Sequence, residues 1–156
     1  MFDVTPVLST SSVNCGPVCL KMLLSYYGKD VDLKELEKDC SLSINGCNGK
    51  NLMQAGRKHG LDMTAWGEIS PEDIDARNFV GAKVIKVDIL KQDRPAIIWW
   101  KYNHFVVFCG LDDAGKVVIC NPNRGRYSVS QSLFKALYSG VCFCNGEPKE
   151  LEEGDT

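Results

Sequence analysis

The chain has 156 residues, enough to bury a real hydrophobic core in one domain, and its 44% hydrophobic and 24% charged content is that of an ordinary globular protein. A formal net charge of −2 argues against a nucleic-acid-binding or anionic-membrane surface. The longest apolar runs, "PAIIWW" and "FVVFCGL", fall far short of the roughly 20 residues that a transmembrane helix needs, and no signal-peptide pattern opens the chain, so a soluble cytosolic protein or fragment is expected.

Residues 1–14 lack periodicity and are rich in Ser, Thr and Val, which predicts an extended arm. A helix is expected to start at Asn14 or Cys15, with Asn14 as its cap and Pro17 in the first turn. Val18, Leu20, Met22, Leu23, Leu24, Tyr26 and Tyr27 make it a largely apolar cylinder, hence a buried central helix, and Gly28 ends it. Asp32 then caps a short amphipathic helix carrying Leu33 and Leu36, and "KNLMQAGRKHG" reads as a third helix stopped by Gly60.

From Leu61 the pattern changes to alternation in "LDMTAWGEI", followed by a capped turn or short helical segment at "SPEDID". "AKVIKVDIL" fits either a strand or a helix end. "RPAIIWWKY", "NHFVVFCGLD", "GKVVICNP" and "GRYSVS" are β-branched and aromatic runs separated by turn residues, the pattern of successive antiparallel strands. "SQSLFKALY" predicts a brief helix and "GVCFCN" a last strand. Helices first and strands afterwards give an α+β fold, with one domain over residues 1–148 and an acidic tail or start of a linker at 149–156.

Eight cysteines invite a disulfide or zinc reading. The chain is long, has a normal core composition and carries no export signal, so free thiols are expected. Cys15 and Cys19, Cys40 and Cys47, and Cys142 and Cys144 have spacings that miss the usual zinc-ligand patterns, so no metal and no cofactor are expected.

Cysteine catalysis needs a thiolate, and a helix N-terminus with a nearby imidazole is the usual means of favouring one. Cys15 has the helix-start position, although a buried structural thiol is the competing interpretation, and Cys19 one turn later fits that second role. An activated Cys15 is expected to alkylate selectively below pH 7. Of the two histidines, His59 sits at a helix terminus where a cation suits the dipole, while His104 opens an apolar strand and can point into a cleft. Asn121, at the end of the following strand, can orient an imidazole by accepting its N–H, or can simply begin an Asn-Pro turn.

Taken together, "NCGPVCLKMLLSYYG", "NLMQAGRKHGL", "PAIIWWKYNHFVVFCG", "VVICNPNRG" and "LFKALYSGVCFCNGEP" resemble the papain-like double-glycine, or bacteriocin-processing, cysteine peptidase domain of peptidase-containing ABC transporters over roughly residues 3–148. The resemblance implies a papain-like fold, with the nucleophile on the central helix of an N-terminal helical part and a C-terminal antiparallel sheet. It also implies Cys15 as nucleophile, His104 as general base and acid, and Asn121 as the orienting member. The implied activity is removal of a leader peptide after a Gly-Gly or Gly-Ala pair, at the cytoplasmic face of the membrane. The implied partners are that leader and the transmembrane and nucleotide-binding parts of the transporter, with no nucleic acid.

Two positions depart from the family pattern. Asn121 replaces the usual Asp, and Ser9 stands about where active members carry the Gln that completes an oxyanion hole with the Cys15 backbone N–H; no Gln precedes Gln54. Ser9, Thr10 or Ser12 are the hydroxyls that could substitute. The alternatives to a leader peptidase are an impaired domain that binds leader without cleaving it, and a free-standing papain-like hydrolase, acyltransferase or toxin.

Overall fold

Helix α1 (Cys15–Tyr26) runs through the middle of the molecule because its apolar residues surround it: Val18, Cys19, Leu20, Met22, Leu23 and Leu24 are all buried. Asn14 holds the N-cap position, but its side chain makes no cap bond and instead donates to Thr10 Oγ1 at 2.9 Å. The reason lies in Pro17, which fills the third helical position and has no N–H for a capping side chain to satisfy. Helix α2 (Leu33–Asp39) is capped by the Asp32 carboxylate on Lys34 N, and helix α3 (Gly49–Lys58) by Asn48 on Asn51 N. The structure is a computed structural model and describes residues 1–67, 83–84, 87–101 and 103–149. The "SPEDID" segment and the acidic tail beyond 149 lie outside these. Within the described residues, Lys149 is still tied to the body, its backbone N–H and carbonyl both bonded to the Gln92 side chain.

The strands are β1 (Met63–Gly67), β2 (Lys83–Val84), β3 (Ala96–Trp100), β4 (His104–Leu111), β5 (Val117–Asn121), β6 (Gly125–Val129) and β7 (Tyr138–Asn145), with helix α4 (Gln131–Leu137) between the last two. They form one sheet in the order β2-β1-β7-β3-β4-β5-β6. The meander β3 to β6 is antiparallel throughout, as the turn-separated runs predict. At the other edge β2 pairs parallel to β1, a departure from a purely antiparallel sheet. The "AKVIKVDIL" ambiguity resolves into both forms, since β2 is followed by a 3-10 turn at Ile89–Lys91.

Strand alternation sorts the core into two layers. Ile97, Phe105, Val107 and Phe143 face the helices and pack with α1, α2 and α3. Their neighbours Ile98, Val106, Phe108 and Cys142 face the opposite side, where Phe134 of α4 covers them. Helix α1 packs directly on β4, with Phe105 near the start of β4 lying against Gly16 near the start of α1.

The N-terminal arm is ordered by bonds along its length. Phe2 N donates to the Cys109 carbonyl at 2.8 Å, Arg126 donates to the Val4 carbonyl, and Ser9 N donates to the Pro122 carbonyl at 2.7 Å. It crosses β4 and β5 before delivering the chain to Asn14 and α1.

Candidate active site

His104 is the first residue of β4 and Asn121 the last of β5. Val107 stands opposite Cys120 in the antiparallel register, so the beginning of one strand lies beside the end of the other. The two side chains meet there, His104 Nε2 to Asn121 Oδ1 at 2.9 Å. The orientation of the Asn121 amide is fixed independently, because Oδ1 also accepts from Asn123 N at 2.9 Å and Nδ2 donates to Tyr127 Oη at 3.2 Å. Tyr127 in turn lies under the Arg124 guanidinium, 4.1 Å from ring centroid to carbon. With Oδ1 an acceptor on both counts, the neutral imidazole carries its proton on Nε2 and presents Nδ1 as a bare lone pair.

Cys15 begins α1, where the first backbone N–H groups have no intrahelical acceptor. Its thiol is half-buried beside Phe105, the residue that follows His104, and it makes no direct side-chain bond to His104 among the described residues. Burial pushes the Cys15 thiol up, against a backbone hydrogen bond from Phe105 that lowers it; the neighbouring Cys47 thiol raises it further. Burial therefore works against the thiolate on which the expectation of reactivity below pH 7 rests. Cys19 is fully buried and pushed further up by the same cause, which makes it an inert core thiol. All eight cysteines are free.

A cleft of about 200 Å³ opens onto Cys15. It is lined by the aromatic rings of Phe105 and Trp99, by Ser12 and Val13 of the arm, and by the turn Ile44-Asn45-Gly46 with Cys47. Ser12 lines this cleft and Ser9 does not. The Ser9 hydroxyl is buried, with no hydrogen-bond partner among the described residues. Sequence reasoning could not separate these two because an arm without periodicity gives no side-chain directions. Cys47 and Ile44 escaped it too, since neither stands in a motif.

His59 is committed elsewhere: its Nε2 lies 2.7 Å from Asp39 Oδ2, while Lys58 Nζ bonds Asp39 Oδ1 at 2.7 Å. Glu35, Asp39 and His59 are the one group, among the described residues, with ligand atoms close enough to share a cation, all within 4.8 Å. The Lys58 ammonium already neutralises Asp39 there.

The family model for peptidase C39 matches residues 3–148. Among curated proteins, the chain is 25% identical over 137 residues to the colicin V secretion/processing ATP-binding protein CvaB of Escherichia coli, covering 87% of this chain and 17% of that protein. It is 27% identical over 134 residues to the lacticin-481/lactococcin-DR transport/processing ATP-binding protein of Lactococcus lactis subsp. lactis, covering 86% and 18% respectively. The chain thus spans less than a fifth of the length of these relatives. Among solved structures, a double glycine motif protease from an AMS/PCAT transporter, crystallised with its leader peptide, superposes with a TM-score of 0.73 at 27% identity, covering 92% of this chain and 91% of that one. The peptidase domain of Streptococcus ComA shares the fold with a TM-score of 0.70 at 16% identity, covering 90% and 96%. On a family model that takes in nearly its whole length, the chain belongs to the peptidase C39 family.

Proposed function

We propose that residues 1–148 form a cysteine endopeptidase domain that removes leader peptides after a double-glycine motif, Gly-Gly or Gly-Ala. It would act at the cytoplasmic face of a membrane, joined through residues 149–156 to the transmembrane and nucleotide-binding parts of an ABC exporter. The observation that carries this reading is the His104–Asn121 bond at 2.9 Å, in a register that leaves Nδ1 unprotonated on the strand against which Cys15 lies. The likeness to a double glycine motif protease at 27% identity supports the substrate class, and a 200 Å³ cleft walled by Trp99 and Phe105 suits residues without side chains.

In this mechanism His104 Nδ1 takes the Cys15 proton as the sulfur attacks the carbonyl carbon of the second small residue. Asn121 holds the imidazolium in register, His104 then protonates the leaving amine, and water resolves the thioester. Because burial raises the thiol, a base is needed to draw off its proton. The oxyanion is held by the Cys15 N–H and, in place of a Gln amide, by the Ser12 hydroxyl on the same cleft. Losing one donor altogether costs on the order of 10²–10³ in turnover, about 3–4 kcal/mol, and a hydroxyl of shorter reach than a Gln amide recovers only part of that, so the reaction is expected to be slow.

The test incubates the domain with a precursor peptide whose leader ends in Gly-Gly and follows products by mass spectrometry. Cleavage at that bond, abolished by Cys15→Ala, is expected; equal cleavage by the variant overturns the assignment. The absence of Gln from the arm favours a second reading, a domain that binds the leader without cutting it. Tight leader binding with no product from the wild type would establish that one instead.

A further inference from the structure

Cys15 does not stand alone in its cleft. Cys47 lines the same 200 Å³ space and is likewise half-buried rather than sealed. Its sulfur packs against the α-carbon of Gly16, the residue after the nucleophile, 2.4 Å from where a β-carbon would stand. It also lines a second, polar cavity of about 420 Å³, with Ser41, Ser43 and Asn51. Behind it, Cys40 is fully buried and hydrogen-bonded to the Cys47 thiol.

The segment carrying Cys47 is the connection from α2 to α3, with left-handed backbone at Ser41 (φ 52°) and Gly46 (φ 85°) and a turn closed by Ser43–Gly46 backbone bonds in both directions and by Asn45 N on the Ser43 hydroxyl. Ile44 at its tip is 89% exposed and anchors nothing. Cys47 thus stands on a connection outside the helices and the sheet, next to the start of α1, whereas Cys19 is fixed within α1.

We propose that Cys47 is the resolving thiol of an oxidative modification site, and that a peroxide converts Cys15 and Cys47 into a reversible disulfide. In the first step the Cys15 sulfur attacks one peroxide oxygen, the O–O bond breaks, and Cys15 becomes a sulfenic acid while one water leaves. In the second the Cys47 sulfur attacks the Cys15 sulfur, the S–O bond breaks, and the hydroxyl departs with the Cys47 proton as a second water. Two thiols lose two electrons and two protons, and hydrogen peroxide is reduced to two waters. The disulfide blocks the nucleophile yet spares it the irreversible sulfinic acid.

The cross-link needs no peptidase activity, and only its effect on turnover rests on the function proposed above. The whole chain is treated with hydrogen peroxide, alkylated, digested with trypsin without reduction, and mapped by mass spectrometry. Trypsin leaves Cys15 and Cys19 in peptide 1–21 and Cys40 and Cys47 in peptide 39–50. The proposed bond joins the two peptides, and fragment ions assign it to Cys15 and Cys47; dithiothreitol separates them. Turnover is expected to fall more than tenfold on oxidation and to return on reduction. In Cys47→Ser and Cys47→Ala, each compared with its own untreated sample, no joined peptide forms, Cys15 gains two oxygens, and dithiothreitol does not restore the loss. A bond confined to peptide 39–50, or sulfinic acid on wild-type Cys15 as abundant as in the variants, overturns the proposal. Joined peptides from a chain that cleaves no leader would uphold the thiol pair and sink the peptidase assignment, while turnover that persists in a fully joined chain would sink the lock.

Discussion

At the scale of single residues, Asn121 is the organising side chain: its oxygen takes the His104 and Asn123 N–H groups together, and its nitrogen reaches Tyr127. Asn121→Ala removes the acceptor that selects the Nε2–H tautomer. Leader cleavage is expected to drop on the order of 10²-fold, the low end of what a positioned general base supplies, while Asn121→Asp retains most of it. Burial raises the Cys15 thiol above its ordinary value of 9.0. Its alkylation by iodoacetamide is therefore expected to climb with pH later than that of an exposed thiol, and selective labelling below pH 7 would contradict the buried, protonated state. These residues were legible because each sits at an element boundary that the sequence marks, Cys15 before Pro17 and His104 before an unbroken apolar strand. Cys47 was not, nor was the choice of Ser12 over Ser9 and Thr10, because what places them is the course of irregular backbone around the cleft.

At the scale of elements, the helix caps and strand alternation carried most of the fold, since Asp32, Gly60 and the runs "AIIWW" and "HFVVFCGL" act through local backbone chemistry. The parallel β1–β2 pair depends on a partner 17 residues away in sequence from Trp66 to Lys83, for which no local signal exists. Close approach is as constraining as periodicity where α1 meets its loop. Gly16→Ala puts a methyl 2.4 Å from the Cys47 sulfur and 3.5 Å from the Phe105 ring. It is expected to destabilise the protein by about 1–3 kcal/mol in thermal or urea unfolding. Helices α2 and α3 are joined by Asp39, whose carboxyl is held below its usual 3.8 by hydrogen bonds from Lys58 and His59. A lowered folded value means that the contribution is complete above pH 3.8 and lost as pH falls through the lowered value. The stability gap between wild type and Asp39→Asn should then close on acidification below about pH 4, as read by chemical denaturation.

At the scale of the whole molecule, the N-terminal arm is a cover as well as an approach to α1. Its Val4 carbonyl accepts from the Arg126 guanidinium and from the Cys120 thiol, and Phe2 is bonded over Cys109. Beneath it the Cys109 thiol, 3.5 Å away, and Arg126 lower Cys120 to about 7. Deleting residues 2–8 is expected to add these two thiols to those titrated by a disulfide reagent in the native state, with circular dichroism retained; an unchanged thiol count would show that the arm covers neither. The strand order carries a different consequence, in time rather than in space. β7, the last strand among the described residues, lies between β1 and β3, and its Asn145 side chain holds the backbone of Asp62, 83 positions earlier. During synthesis the two halves of the sheet must therefore wait, with their inner edges bare, until β7 emerges and inserts between them. Such pairing across long sequence separations makes folding slow and leaves the nascent chain exposed to strand-edge association until β7 is made.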